Sequence, residues 1–237
     1  MNSSRQPQAY IFDYGGTLDT GGRHWGRVIW QAWQEAGVPV GEEQFRQAYV
    51  AAERRMAAEP LIQPDYTFRQ TLDVKLRLEL TSVGADAYRP QVLESLYAQT
   101  VRHTQHSREV LSALAANSPL VLVSNFYGNL SAVLREFRLD GLFRSVVESA
   151  VVGLRKPDPR IFLKGVESLG LLPAQVAVVG DSISNDILPA RQAGCLAVWL
   201  RGQQWTDAPV DESAPHRIIN DLEELLPPPS PPQGRDV

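Results

Sequence analysis

Three aspartates, one lysine and one serine carry the chemistry open to this chain. Asp13 follows the apolar run Tyr10-Ile11-Phe12 and precedes Gly15, Gly16 and Thr17. Ser124 and Asn125 follow Leu120 to Val123, and Asp181 follows Val176 to Gly180 with Asp186 shortly after. Lys156 stands in Gly153-Leu154-Arg155-Lys156-Pro157-Asp158-Pro159, in a chain whose other lysines are Lys75 and Lys164 alone. If these segment ends meet, Asp13, Asp181 and Asp186 share one small volume, where like charges repel unless a cation intervenes. Donors that are all oxygen favour a hard ion such as Mg²⁺. That ion and Lys156 together make a positive pocket for a phosphate, whose remaining oxygens fall to Ser124, Asn125 and nearby backbone N–H groups. Positioning and charge neutralisation of this kind suit phosphoryl transfer.

The elements that must position these residues are legible in the texture of the chain. Leu120 to Val123, Val176 to Val179 and Leu196 to Trp199 are short continuous apolar runs, as strands covered on both faces require. Helical periodicity lies between them, around 110–116, 129–137, 161–169 and 187–193, so a parallel sheet with crossover helices is the natural packing solution. Tyr10 to Asp13 joins that sheet as a first strand. From about Gly22 to His106 the pattern is helical, with helices expected near 25–36, 42–58, 68–83 and 88–101. The expected architecture is α/β, a Rossmann-like core (9–20 and 107–226) interrupted by a helical second domain (21–106). Residues 1–8 are polar and 227–237 are proline-rich, and both are expected to lie outside the packed fold.

Composition narrows the partners. The chain has 237 residues, 43% of them hydrophobic, with 23 Lys+Arg against 27 Asp+Glu. A formal charge of -4 leaves no broad basic field for a nucleic-acid backbone or an anionic membrane surface. No run approaches the roughly 20 apolar residues of a bilayer span. Cys195 is the single cysteine and cannot pair internally, and Met1 to Gln8 lacks the apolar centre of a signal peptide. The expectation is a cytoplasmic protein whose partner is a small phosphorylated metabolite.

The set Asp13-Tyr-Gly-Gly-Thr17, Ser124, Lys156 in Lys-Pro-Asp-Pro, and Gly180-Asp181-Ser-Ile-Ser-Asn-Asp186, in this order, resembles the four motifs of the haloacid dehalogenase (HAD) superfamily. The resemblance runs from Tyr10 to about Leu226. It implies a helical cap inserted after the first motif, Mg²⁺ dependence and an aspartyl-phosphate intermediate. Asp13 would be the nucleophile, Ser124 would bind the transferring phosphoryl group, Lys156 would steady both, and Asp181 and Asp186 would hold the metal. Phosphatases of the superfamily carry a second aspartate two positions after the nucleophile as acid and base. Here that position is Gly15, whose carbonyl can still ligate Mg²⁺. Asp19 and His24 are the nearest substitutes for the missing carboxyl. Two alternatives stay open: a weakly active or inactive phosphate-binding relative, and a phosphonatase-like enzyme, which would need a Schiff-base lysine in the cap. Lys75 is the one cap lysine, and its charged surroundings Asp73 to Arg77 favour a solvated surface role. A dehalogenase, which works without metal, would not need Asp181 and Asp186 together. Trp25, Trp30 and Trp33 are expected to pack the cap rather than line a pocket. His103, His106 and His216 show no metal-ligand company in the sequence.

Overall fold

The structure, a computed structural model, describes residues 6–227. The expectation of loose ends at 1–8 and 227–237 therefore falls outside the described residues, except at 6–8 and 227. Six parallel strands form one sheet in the order β3-β2-β1-β4-β5-β6. They are β1 Ala9–Phe12, β2 Leu120–Ser124, β3 Ser145–Glu148, β4 Val176–Gly180, β5 Leu196–Leu200 and β6 Arg217–Ile219. Alternation along the strands divides the core between the two faces. Tyr10, Phe12, Leu122 and Val179 pack with α4 (Arg89–Ala115) and α5 (Leu130–Glu136) on one side. Ile11, Val121, Val123 and Val178 pack with α7 (Arg160–Leu169) and α8 (Leu188–Gln192) on the other. A one-residue slip would exchange the two sets, so this burial holds the register.

That register levels the strand ends. Phe12 of β1 sits beside Leu122 of β2 and Val179 of β4, and Asp13 N–H extends the ladder to the Val179 carbonyl at 3.0 Å. The order reverses at β1, where the chain leaves one half-sheet and later returns to the other. Ligands of open parallel sheets bind in the crevice beyond the carboxyl ends at such a switch point.

Between β1 and β2 lie α1 (Trp25–Ala36), α2 (Glu42–Ala58), α3 (Phe68–Ser82) and the long α4. α1 buries Val28, Ile29, Ala32 and Trp33 and stops at Gly37, whose φ of 73° is the left-handed conformation glycine adopts without strain. The helices expected at 88–101 and 110–116 are one uninterrupted α4, which runs straight through residue 106. β3 and β6 were not expected. β3 leaves Ser145 and Val146 partly exposed, and β6 has three residues, so neither presents a continuous apolar run. A π-type turn, Ile183–Ile187, precedes α8. α6 (Ser149–Val152) is a single turn. None of the described helices is long and apolar enough to cross a membrane.

Candidate active site

Asp13, Asp181 and Asp186 converge. Each offers a carboxylate oxygen, and these atoms lie within 4.8 Å of one another. All three side chains are buried. Two glycines make the approach possible. A Cβ on Gly16, whose φ is +91°, would stand 2.5 Å from the Asp181 carboxylate, and one on Gly180 would stand 2.4 Å from Asp186 Cβ.

Hydrogen bonds hold the oxygens in place. Lys156, itself buried, donates from Nζ to Asp13 Oδ1 at 2.5 Å and to Asp186 Oδ1 at 2.7 Å. Ser124 Oγ donates to the same Asp13 oxygen at 3.0 Å. Thr17 Oγ1 donates to Asp181 Oδ1 at 3.0 Å, and Ser182 N–H donates to Asp186 Oδ2 at 3.0 Å. Trp199 Nε1 and Gln204 Nε2 both donate to the Asp181 backbone carbonyl. Asn125 faces the cavity but engages its amide on Lys156: Oδ1 accepts from Lys156 N–H and Nδ2 donates to Lys156 O. That clamp sets the lysine's backbone.

One ammonium among three buried carboxylates leaves an excess of negative charge. Burial pushes Asp181 well above the usual carboxylate range, with Asp186 and Asp13 adding to the rise, and burial raises Asp186 to about 6. The lysine moves upward because Asp13 and Asp186 favour its charged form over the opposing effect of burial. An all-oxygen donor set with surplus negative charge fits a hard divalent cation such as Mg²⁺.

The cluster opens into a cavity of about 630 Å³, lined also by Gly15, Asp19, His24, Trp25 and parts of the inserted helices. Asp19 is buried, with Oδ1 accepting from Gly16 N–H at 2.7 Å and Oδ2 from Trp25 Nε1–H at 3.0 Å. Burial raises its carboxyl to about 8. His24 instead accepts from Gly26 N–H through Nδ1, capping α1, and burial lowers it to about 4. Burial therefore favours the neutral form of both groups.

Three expectations change. Lys75 is not a surface residue: the packing of α2 on α3 buries it in the cavity wall. Trp25 lines the cavity, whereas Trp33 packs in the core. His106 lies with Asp221 and Glu223 in an exposed cluster, brought together by the fold rather than by sequence spacing. Sequence reasoning missed Thr17 and Trp25 as partners of the acidic groups, and the wall formed by Glu53, Lys75 and Tyr127. A usable signal was the scarcity of lysine, since two of the three lysines prove to be buried in this cavity.

The chain resembles known proteins in sequence and in fold. The chain is 39% identical over 85 residues to phosphoserine phosphatase from Thermus thermophilus, covering 35% of this chain and 33% of that protein. It is 26% identical over 167 residues to glyceraldehyde 3-phosphate phosphatase from Pyrococcus furiosus, covering 68% and 66%. For the first curated relatives it matches, the chain spans less than half of their length. Among solved structures, a dehalogenase with an intermediate complex shares the fold at a TM-score of 0.61 and 21% identity, over 93% of this chain and 96% of that one. An HAD hydrolase from Bacillus subtilis bound to magnesium does so at 0.58 and 18%, over 93% and 97%. The family model for haloacid dehalogenase-like hydrolases matches residues 7–194, well over half the chain, and the protein belongs to that family.

Proposed function

We propose that the protein is a Mg²⁺-dependent phosphatase that hydrolyses a small phosphate monoester through an aspartyl-phosphate on Asp13, with residues 21–106 acting as its cap. The observation that carries this reading is the meeting of three buried carboxylates with Lys156 and Ser124 at the sheet's switch point. The relatives named above support it, since their names describe phosphatases of small metabolites. Asp13, Asp181, Asp186 and the Gly15 carbonyl would hold the ion, which when bound supplies positive charge for the phosphoryl oxygens.

Asp13 attacks phosphorus while Lys156 and the Ser124 hydroxyl orient the nucleophile and the transferring group. The phosphorus–oxygen bond to the leaving group breaks, and Asp19 gives that oxygen its proton. Water then attacks the aspartyl-phosphate, Asp19 takes up the water's proton, and inorganic phosphate leaves a regenerated Asp13. Asp19 serves better than His24 because it carries the proton the first step needs, and the N–H groups of Gly16 and Trp25 stabilise the carboxylate left behind.

Phosphate release from acetyl phosphate and p-nitrophenyl phosphate with Mg²⁺, lost in Asp13→Asn, is the expected result. Binding of phosphate without any Asp13-dependent release would establish instead a protein that binds phosphate and does not turn over. A second reading gains from the burial of Lys75, which brings its amine down to about 8. A phosphonatase-like enzyme would form a Schiff base there. Borohydride treatment in the presence of a 2-oxoalkyl phosphonate would then fix an adduct on Lys75, visible by mass spectrometry. The ion pair of Lys75 with Glu53 favours the phosphatase.

A further inference from the structure

Among the apolar residues that the inserted helices contribute to the cavity, such as Met56, Phe68 and Leu72, stands a polar group that the phosphatase mechanism above does not use. Glu53 of α2, Lys75 of α3 and Tyr127, in the loop after β2, make it up. Lys75 Nζ donates to Glu53 Oε1 and stands 4.2 Å over the Tyr49 ring and 3.9 Å from Glu79 Oε1. Tyr127 OH donates to Glu53 Oε2 at 3.1 Å. Glu79 is fully buried behind this wall, and neither of its carboxylate oxygens has a hydrogen-bond partner.

Charge around the cavity is lopsided. Among the described residues lining it are six carboxyl groups, Asp13, Asp19, Glu53, Asp181, Asp186 and Asp211, against two ammonium groups and no arginine. Both ammonium groups are committed, Lys156 to Asp13 and Asp186, Lys75 to Glu53 with Glu79 close by. A divalent ion held by Asp13, Asp181 and Asp186 would serve the phosphoryl group. A second anionic group on the substrate would meet Glu53 with no cation free to receive it.

Neutral donors fare differently. The Glu53 side chain is 31% exposed, and the bonds from Lys75 and Tyr127 occupy two of its roughly four lone-pair positions. Its charge is offset by Lys75, which leaves a hydrogen-bond acceptor facing the cavity. The side chains of Trp25, Tyr49, Phe126 and Trp205 line the same cavity and add apolar surface for the C–H side of a polyol.

Resting on the phosphatase reading, we propose that this wall selects phosphate monoesters of polyols, whose hydroxyls donate to Glu53, and rejects those whose leaving group carries a carboxylate. Two substrate pairs isolate the distal group: glycerol 3-phosphate against 3-phosphoglycerate, and sorbitol 6-phosphate against 6-phosphogluconate. Within each pair the phosphate and chain length are the same, and a CH₂OH replaces a carboxylate at the far end. Each compound is measured as a competitor of acetyl phosphate hydrolysis, which reports binding whether or not the compound turns over.

The carboxylates should inhibit about tenfold or more weakly than the alcohols in the six-carbon pair, because a carboxylate has no proton to donate to Glu53 and both ammonium groups lining the cavity are already paired. Glu53→Gln, which frees Lys75 to receive a carboxylate, should narrow or invert the ranking. A gap below about tenfold in the wild type, an acid that binds more tightly, or no competition from any of the four compounds overturns the proposal. If acetyl phosphate itself is not hydrolysed, the phosphatase reading has failed, and the same ranking is read by titration calorimetry with Mg²⁺.

Discussion

Gly15→Asp restores a carboxyl two positions after Asp13, and the structure has room for it. The Gly15 backbone needs no positive φ, and a Cβ built there would meet nothing nearer than Trp25 Cδ1 at 3.9 Å, an ordinary contact. The new side chain would enter a cavity already lined by six carboxyl groups, which raises its pKa and suits it to hold a proton. General acid and base catalysis is worth roughly 10² to 10⁴ in rate, or roughly 3 to 5 kcal/mol at about 1.36 kcal/mol per tenfold. In the proposed mechanism Asp19 supplies part of this, so the gain should be about 10- to 100-fold in kcat/KM on alkyl phosphates, whose leaving oxygens need the proton. On acetyl phosphate, a good leaving group, it should stay within about threefold. Phosphate release on the two substrate types, wild type against variant, is the assay. Gly15→Asp should also recover activity in Asp19→Asn. An equal gain on both substrate types, or a loss on both, would show that the absent carboxyl does not limit the enzyme. Gly16→Ala is the steric contrast: its Cβ would lie 2.5 Å from the Asp181 carboxylate, so activity should collapse on every substrate.

Removing charge from the cluster gives further outcomes. Mg²⁺ should raise the unfolding temperature, by an amount equivalent to about 2.7 kcal/mol at 100 times its dissociation constant. Asp181→Asn should abolish most of that shift in a thermal melt, and a shift that survives would remove Asp181 from the metal site. Lys156→Met strips Asp13 and Asp186 of their buried counter-ion, and urea unfolding should show a loss of about 3 to 5 kcal/mol without metal. Added Mg²⁺ should recover part of it, and an unchanged midpoint would refute the pairing. Asp19, raised to about 8 by burial, is protonated below that pH and loses its proton above it. Activity on alkyl phosphates should therefore decline as pH rises through an alkaline limb at or below about 8, since a bound cation's charge draws the limb downward. A limb unchanged in Asp19→Asn would assign the proton to another group.

What the sequence determined by itself was local or periodic. Apolar runs that end in Asp13, Ser124 and Gly180-Asp181 mark strands covered on both faces, and in a parallel sheet their carboxyl ends lie on one edge, so the acidic site could be placed without coordinates. Helix stops such as Gly37 were equally plain, because the left-handed conformation is a property of the residue. β3 and β6 escaped because their partial exposure leaves no pattern to read.

Tertiary structure decided the remainder of the site. Asp73 to Arg77 reads as a solvated charged stretch until α2 packs on α3 and brings Glu53 against Lys75. Trp25 meets Asp19 only when the first turn of α1 docks over the loop after β1. A side chain's partner across a cavity is chosen by packing between segments distant in the chain, and neither hydrophobic period nor capping chemistry encodes that choice locally.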